Sequence, residues 1–570
     1  MLCQTSATSR RGGRRAVGER RLANPSGLGV PGEPKARDER RVGAERRRTA
    51  LGPAERRREP TASISPPRPV ACKALMIQGT GSSVGKSLVA AALCRIFTQD
   101  GFRVRPFKSQ NMSNNAAVTS EGGEISRAQA EQAFACGVAP SVRMNPILLK
   151  PTTDVGAQVV VLGHAVGTMT ARAYQAFKPQ LVATIRQSLH TLREEADILV
   201  IEGAGSPAEV NLRAHDLANM WVAREADAKV LLVGDIDRGG VFAQLVGTME
   251  LLTDEERPRV RGFLINKFRG DRALLEPGIA WLEQRCTRPV LGTIPYLDAV
   301  ELPEEDALPA RWPRTPSRHG TVRLEVIRLP RMANFTDFDA LAREPDVSLR
   351  YVDRPSEHAH PDCVILPGSK STIADLASIR ERGLDRDLTR CVDAGGEVVG
   401  ICGGFQMLGE RILDPDGVEA TVRDAPGLGL LPAVTIFHRE KITTQVRGVH
   451  LDSGLPVAGY EIHMGRLQGD PGPRAVFRCT ERGGQATDAR DGVRSADGRI
   501  WGTYLHGVFD QPEFRRWWLN RLRTRKGLPD RPVETAQRPE SVYDRLADAV
   551  RPHLKLGHLY DLLHEPTETR

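Results

Sequence analysis

Cys402 lies where a short apolar run changes into a helical pattern, a setting that can display a nucleophile. The run 398–401 predicts a buried strand, and Gly403 and Gly404 follow the cysteine at the start of an apolar helical stretch. A thiol at such a corner lies near a helix N-terminus, whose partial positive charge favours the thiolate. The amide that follows the thiol can donate to an oxyanion. Since free cysteine is also among the most buried residue types, simple packing is the alternative explanation of this run.

Two distant segments offer the partners that such a thiol requires. His506 ends the apolar run 501–505 and precedes a glycine. A base for a thiol is expected to be distant in sequence and close in space, so this histidine is the candidate. Gly368 follows the strand-like run 363–366 in a Pro-Gly turn, whose amides can supply a second oxyanion donor.

In this order and spacing, the three segments resemble the class I, or triad, glutamine amidotransferase domain. The resemblance implies that Cys402 attacks the glutamine amide and that His506 relays its proton. It also implies that the amides of Gly368 and Gly403 hold the oxyanion. One position departs from the family pattern, because the usual carboxylate two residues after the histidine is a valine here. Another group must therefore orient the histidine, and Glu461 is one candidate.

A second set of chemistry-bearing residues lies upstream, where a Gly/Ser loop joins the strand-like run 74–77 to the helical stretch 88–97. Backbone amides of such a loop cradle phosphates, while its lysine reaches the β/γ oxygens and its serine hydroxyl binds Mg²⁺. Five residues separate the first glycine of the motif from the last, one more than in the strict Walker motif, and the longer loop resembles that of dethiobiotin synthetase. The predicted nucleotide-binding residues here are Gly79, Thr80, Gly81, Gly85, Lys86 and Ser87.

Polar residues also follow other predicted strands of this first half. Glu202 ends the run 198–201, where a carboxylate beside a phosphate loop can bind Mg²⁺ together with Ser87. Asn266 and Lys267 follow another strand, and the Asn266 amide is predicted to contact the adenine edge. Because the carboxyl ends of parallel strands share one edge of a sheet, these residues are expected to line one ligand site. The substrate-binding candidates at this edge are Gln110, Asn111, Asp237 and Arg238.

The apolar runs predict an α/β fold with two domains. From residue 73 onward, strand-like runs alternate with amphipathic helices, which indicates a parallel sheet covered by helices. The segment 107–115, rich in amide side chains, is predicted to be a polar loop of the first domain. The predicted divisions are a disordered basic extension (1–70), an ATP-dependent P-loop synthetase domain (73–302), a linker (303–320), a glutamine amidotransferase domain (321–515) and a C-terminal helical segment (516–570).

Composition narrows the function classes. The net charge is +9 over 570 residues, but residues 1–70 alone hold 17 Lys/Arg against 7 Asp/Glu, so the rest of the chain is close to neutral. This basic segment lacks apolar periodicity, and we interpret it as a dispensable extension rather than a transit peptide or an arm for specific nucleic-acid binding. Nine cysteines without a Cys-x-x-Cys pair predict a reducing cytoplasm and no structural zinc. No stretch approaches a membrane span, and a homo-oligomer is compatible with the sequence.

Longer phrases make the resemblance specific to the cobyric acid synthase family, the glutamine-hydrolysing enzymes of cobalamin biosynthesis. The resemblance spans residue 73 to about residue 560. It implies amidation of the b, d, e and g side-chain carboxylates of adenosylcobyrinic acid a,c-diamide to adenosylcobyric acid, with ATP, Mg²⁺, glutamine and a corrinoid as ligands. The phrases lie at 78–87, 107–113, 145–151, 201–209, 235–242 and 334–338, together with the pair Cys402 and His506.

Three alternative functions stay open at this point. A cobyrinic acid a,c-diamide synthase has the same architecture and chemistry but amidates different carboxylates. A P-loop switch ATPase with an inert amidotransferase-like module would show nucleotide-driven assembly and no glutaminase activity, and the presence of both Cys402 and His506 argues against it. A stand-alone hydrolase or peptidase would leave the phosphate loop without a role.

Overall fold

The computed structural model describes residues 72–297, 321–355, 361–533 and 539–565. The predicted extension 1–70 and linker 303–320 lie outside the described residues. The described part of the chain contains two six-stranded sheets that are mainly parallel, a six-stranded mixed sheet, a four-stranded sheet and two two-stranded pairings. The predicted α/β class is confirmed.

The first half of the chain forms a parallel sheet with the phosphate loop at its centre. The strands lie in the order Val290–Pro295, Val260–Phe268, Lys229–Asp235, Lys73–Gly79, Ile198–Glu202 and Val104–Phe107, and every neighbouring pair is parallel. Alternate residues of the central strand enter two different apolar clusters, with Met76 in one and Leu75 and Ile77 in the other. This strand is therefore buried on both faces, as its continuous apolar sequence predicts.

Six helices accompany this sheet: Lys86–Gln99, Arg127–Ala135, Ala171–Glu195, Met220–Glu225, Val241–Leu251 and Glu276–Cys286. The first begins directly after the phosphate loop, and its apolar residues, among them Val89, Leu93 and Phe97, pack in the cluster of Leu75. This arrangement fixes the loop between the end of the central strand and the start of a buried helix.

A small sheet lies beside the first one, and it corrects one prediction. Its strands are ordered Gln110–Met112, Ile147–Pro151, Gly156–Val161 and His164–Thr170, and a separate hairpin joins Ala116–Val118 to Glu124–Ser126. The prediction of a polar loop over 107–115 is thus wrong at 110–112, which pair in parallel with 147–149. Pairing with that buried apolar run outweighs the low strand propensity of the amide residues.

The second half repeats the parallel arrangement. The strands lie in the order Val347–Val352, Val322–Ile327, Cys363–Leu366, Glu397–Ile401, Ile500–Thr503 and Val493–Arg494, and only the last pairs antiparallel. The helices of this half are Asp339–Ala342, Thr372–Glu381, Asp385–Asp393, Gly403–Leu408 and Pro512–Arg525. The strand-like runs predicted before Gly368, Cys402 and His506 are strands in the structure.

A mixed sheet is inserted between the strand before Cys402 and the strand before His506. It comprises Arg411–Leu413, Asp424–Pro426, Val434–His450, Pro456–Leu467, Phe477–Arg482 and Gln485–Asp491. The two longest of these strands form an antiparallel pair. This sheet is not predicted from the sequence. Its functional consequence is that Tyr460 in Pro456–Leu467 forms a bridge to His506.

The C-terminal helices divide between the two halves. Pro512–Arg525 packs in the second half, where Trp518 is fully buried. Pro539–Val550 and Leu556–His564 return to the first half, and their residues Leu546 and Leu559 lie in its apolar cluster. The first described strand, Lys73–Gly79, and the last described helix, Leu556–His564, thus both belong to the first half. Within the described ranges, no helix combines the length and the hydropathy that a membrane span requires.

Candidate active site

Cys402 occupies the tight turn that its sequence predicts. The strand Glu397–Ile401 ends at the residue before it and the helix Gly403–Leu408 begins at the residue after it. Its φ of 51° is uncommon for a non-glycine residue and indicates backbone strain of the kind found at functional turns. A Cβ on Gly403 would lie 2.7 Å from the amide nitrogen of Ser369, so glycine is required for this close approach.

His506 is buried and held by a carboxylate. Its Nδ1 donates to Asp337 Oδ2 at 2.7 Å, and the Gly507 amide donates to Asp337 Oδ1 at 2.9 Å. Burial alone would lower the pKa of His506, but Asp337 and Cys402 raise it to about 10. Asp337 thus holds the ring with its Nε2 directed away from the carboxylate, as a base for a thiol requires.

The carboxylate that orients His506 was not found from the sequence. The candidate, Glu461, instead accepts a 2.8 Å bond from Arg482, and burial together with Asp491 raises the pKa of Glu461 to about 7. A local signal for Asp337 does exist. It is an acidic residue between two phenylalanines in the phrase 334–338, and a carboxylate buried among aromatic side chains requires a partner.

Two further side chains contact His506. The Nδ2 of Asn334 lies 3.3 Å from His506 Nε2. The ring of Tyr460 stacks on the imidazole with a centroid separation of 5.2 Å and an interplanar angle of 15°. The backbones of Tyr460 and His506 also exchange two hydrogen bonds, of 2.9 and 3.1 Å. The histidine is therefore fixed through its backbone, its ring face and both ring nitrogens.

The structure brings the two predicted oxyanion glycines to the same place. A Cβ on Gly368 would lie 3.0 Å from His506 Cε1, and Gly403 approaches Ser369, the residue after Gly368. Gly368 belongs to a two-residue strand that pairs with Met332–Ala333, just before Asn334. Cys402, His506, Gly368 and Gly403 thus form one cluster, while the oxyanion role of the two amides stays a prediction.

The phosphate loop closes on itself and on a neighbouring loop. Lys86 Nζ donates to the carbonyls of Gly81 and Gly205, at 2.9 and 3.1 Å. Gly85 has a φ of 98°, and Thr80 donates through its hydroxyl to Gln244 at 3.1 Å. Gly79 ends the central strand, seven residues before Lys86. All the predicted nucleotide-binding residues of the loop therefore lie together.

Asn266 and Lys267 lie against the phosphate loop. Asn266 Nδ2 donates to the Val84 carbonyl at 2.9 Å, and Lys267 Nζ donates to the Ser83 carbonyl at 2.7 Å. The side-chain amide of Asn266 therefore supports the loop backbone in this structure. The contact of this residue with an adenine edge stays a prediction.

Several side chains of the first half donate hydrogen bonds to Glu202. Its Oε1 accepts from Ser87 Oγ at 2.8 Å and from Lys108 Nζ at 3.0 Å, and its Oε2 accepts from Gln132. The Glu202 side chain is fully buried. A hydroxyl and a carboxylate in contact are the hard oxygen donors that suit Mg²⁺, so the residues present fit that ion.

The four substrate candidates fall into two groups. Gln110 accepts from the hydroxyl of Tyr174 at 2.6 Å, and the buried Asn111 accepts from the backbone amide of Met112. These two lie on the small sheet. Asp237 accepts from Arg269 at 3.1 Å and Arg238 is largely exposed, and both follow the strand Lys229–Asp235 of the large sheet. Their contact with a substrate stays a prediction.

Comparison with known proteins assigns both halves. Residues 75–310 match the CobQ/CobB/MinD/ParA nucleotide binding domain, and residues 323–514 match the CobB/CobQ-like glutamine amidotransferase domain. The chain is 51% identical to cobyric acid synthase of Moorella thermoacetica over 85% of this chain and 96% of that protein. It is 49% identical to cobyric acid synthase of Dehalococcoides mccartyi strain 195, over 86% of this chain and 98% of that protein. It is 51% identical to cobyric acid synthase of Sorangium cellulosum, over 84% of this chain and 96% of that protein.

Proposed function

Because the chain belongs to the cobyric acid synthase family of glutamine-dependent amidoligases, we propose that it amidates the b, d, e and g carboxylates of adenosylcobyrinic acid a,c-diamide. The product is adenosylcobyric acid. The observation that carries this proposal is the presence, in one chain, of the Cys402–His506–Asp337 arrangement and a phosphate loop with Lys86. The first can release ammonia, and the second can activate a carboxylate to receive it.

In the glutaminase half, His506 Nε2 takes the proton of the Cys402 thiol, and the sulfur attacks the amide carbon of glutamine. The amides of Gly368 and Gly403 would stabilise the oxyanion that forms. His506 then returns the proton to the leaving nitrogen, which departs as ammonia, and water releases glutamate from the thioester. Asp337 keeps the imidazole in the tautomer that these transfers require.

In the synthetase half, a substrate carboxylate oxygen attacks the γ-phosphorus of ATP and ADP leaves. Ammonia then attacks the acyl carbon of the resulting acyl phosphate, and inorganic phosphate leaves. Lys86 and the loop amides would neutralise charge on the transferring phosphoryl group. Ser87 and Glu202 would hold Mg²⁺, which, when bound, supplies further neutralisation of phosphate charge. Asn266 and Lys267 would hold the loop in shape around the phosphates.

The corrinoid would bind at the carboxyl edge of the first sheet. Gln110 and Asn111 offer amide groups from the small sheet, and Asp237 and Arg238 follow the strand beside the phosphate loop. A substrate that presents several carboxylates and amides needs both donors and acceptors around it, which this set provides.

Product analysis tests the proposal. The protein is incubated with adenosylcobyrinic acid a,c-diamide, ATP, Mg²⁺ and glutamine, and the corrinoid is examined by mass spectrometry. Four conversions of carboxyl to amide are expected. Two conversions from cobyrinic acid, with none from the diamide, would identify the sister a,c-diamide synthase instead. ATP turnover without any amidation would favour a switch ATPase. Cys402→Ser, supplied with ammonium salt, controls for the nitrogen source.

A further inference from the structure

The loop after the predicted oxyanion glycine runs along the short helix that follows the catalytic thiol. Ser369 lies against the first residue of that helix, and its amide nitrogen would be 2.7 Å from a Cβ on Gly403. The hydroxyl of Thr372 donates to Oε1 of Gln406, in the same helix, at 3.1 Å. Lys370 lies between these two contacts in the chain, so its backbone is held beside the place where glutamine is attacked.

The ammonium group of Lys370 has no direct counter-ion, although its side chain is half-buried. Within the part of the chain that the structure describes, its Nζ makes neither a hydrogen bond nor an ion pair. Burial and the nearby Lys150 lower the pKa of Lys370, whereas Glu419, Glu124 and Cys402 raise it. A cation that is partly removed from water and lacks a direct partner favours an anionic ligand.

A carboxylate reaches the same loop from the mixed sheet. Glu419 Oε1 accepts from the backbone amide of Ile373 at 2.9 Å. The fully buried Asp414 sets the position of Glu419, because it accepts from the amides of Val418, Glu419 and Ala420 at 2.7, 2.9 and 2.9 Å. Burial raises the pKa of Glu419 to about 7, although the Ile373 amide and the neighbouring lysine oppose this shift. A carboxylate whose ionised form is penalised in this way favours a cationic ligand.

The two charges match the two charges of a free amino acid. Lys370 and Glu419 both lie in the described ranges, where each favours the other's charged form without an ion pair between them. Glutamine carries a carboxylate and an ammonium group on its α carbon, at the end opposite its side-chain amide. With the amide carbon at Cys402, that end of the molecule must lie a short distance from the thiol, as the loop 369–372 does.

We propose that Lys370 binds the α-carboxylate of glutamine and that Glu419 binds its α-ammonium group. The inference rests on the proposed function, because it names the groups that recognise the nitrogen donor of the glutaminase half. Neither side chain touches the amide that reacts, so the pair determines specificity. A glutamine residue inside a peptide has both α groups in peptide bonds, and its amide is therefore rejected.

The test compares glutamine with two amides that each lack one charged group. The compound γ-aminobutyramide keeps the ammonium group but has no α-carboxylate, whereas glutaric acid monoamide keeps the carboxylate but has no ammonium group. Ammonia release from each amide is measured as kcat/KM, with ATP, Mg²⁺ and corrinoid present throughout. The wild type should prefer glutamine to each analogue by roughly 10- to 100-fold, the size expected for one charge-assisted hydrogen bond.

Each variant should remove one of the two preferences. Lys370→Met keeps the length of the side chain without its charge, so the preference for glutamine over γ-aminobutyramide should fall towards one while the other preference is kept. Glu419→Gln should show the reverse pattern. Lys370→Arg keeps the charge and should keep both preferences. Because neither group bonds the reacting amide, most of the loss should appear in the KM for glutamine rather than in kcat.

Glu381→Gln and Arg386→Met are the matched controls. They remove one carboxylate and one cation from exposed positions, at the end of the helix Thr372–Glu381 and in the helix after it. Both preferences should equal those of the wild type in these two variants. Amidation from ammonium salt, measured on the same preparations, shows whether each variant is folded.

The outcomes separate this inference from the proposed function. A wild type that hydrolyses glutamine no more readily than the two analogues would overturn the inference alone. So would a folded Lys370→Met that keeps both preferences, or one that loses activity towards all three amides equally, since the lysine would then only shape the loop. If Lys370→Met does not fold, Glu419→Gln decides by the same criteria. A folded wild type without any glutamine hydrolysis would overturn the proposed function and the inference with it.

Discussion

Asp337 Oδ2 accepts a 2.7 Å hydrogen bond from His506 Nδ1, although it lies 169 positions earlier in the chain. The position that usually supplies this carboxylate holds Val508, which is buried in the apolar core of the second half. The turn of helix at 335–338, directly after the short strand Met332–Ala333, takes over that role. The orientation of His506 therefore depends on a segment that also contains Asn334, and so on the contact between the two halves of the chain.

Asp337→Asn should reduce glutamine-dependent amidation by roughly 10²- to 10⁴-fold, because an amide neither fixes the tautomer nor stabilises the imidazolium. Amidation from ammonium salt should be retained. Equal loss of both activities in a folded variant would contradict this role, and steady-state assays with the two nitrogen donors distinguish the cases.

The same variant should change how stability depends on pH. Asp337 and Cys402 raise the pKa of His506 to about 10 from the ordinary 6.5, so protonation of this ring stabilises the folded protein. This contribution to the free energy of unfolding is fully present below about pH 6.5 and is lost as the pH rises through about 10. The difference in thermal midpoint between wild type and Asp337→Asn should therefore be largest at neutral or lower pH and should shrink towards pH 10. A difference that grows with pH would refute the assignment.

Local patterns were sufficient to predict the parts of the site that each lie in one stretch of sequence. The strand, turn and helix around Cys402 follow from an apolar run and two glycines, and the loop before Lys86 follows in the same way. For Asp337 the local pattern indicates only a buried carboxylate that requires a partner. Its pairing with His506 could not be predicted in this way, because the distance between the two is set by the packing of a whole domain.

Other features were missed because tertiary contacts outweigh local preferences. Gln110–Met112 has a composition typical of a loop, yet pairing with Ile147–Pro151 makes it a strand. The long pair Val434–His450 and Pro456–Leu467 has many exposed or half-buried positions, so its apolar signal is weak. Leu559 lies in a helix whose pattern shows that one face is buried, but not that it packs in the first half.

Cys402→Ser should abolish glutamine-dependent amidation and leave ammonia-dependent amidation largely intact. A serine hydroxyl is a much weaker nucleophile without thiolate character, whereas the synthetase site does not use this side chain. His506→Ala should behave in the same way through loss of the proton relay. The measurement is product formation with each nitrogen source, and a folded serine variant that is inactive with both would refute the division of labour.

Lys86→Ala should remove activity with either nitrogen donor. The transferring phosphoryl group would lose a charge contact in a site whose chemistry depends on positioning and charge neutralisation. Glutamine hydrolysis without synthetase ligands should persist, since Lys86 lies in the other half. Glu202→Gln should raise the Mg²⁺ concentration needed for half-maximal rate. Unchanged ammonia-dependent turnover in Lys86→Ala would show that the loop binds something other than ATP.

Glu124→Gln should destabilise the contact between the two halves. Glu124 is buried and bonds both Lys150 of the first half and Lys441 of the second. Burial would raise the pKa of Glu124, but the two lysines lower it to about 2. Removing the carboxylate leaves two buried ammonium groups without their counter-charge, which typically costs about 3–5 kcal/mol.

The pH dependence of this cost has the opposite sign to that at His506. Because the pKa of Glu124 falls from 4.5 to about 2 on folding, its stabilisation is present above about pH 4.5 and is lost as the pH falls towards 2. Thermal midpoints of wild type and Glu124→Gln should therefore differ most near neutral pH and converge in acid. Glu121→Gln, an exposed change in the same hairpin, is the control and should have little effect. If Glu124→Gln were as stable as this control at neutral pH, the ionic cluster would not hold the two halves together.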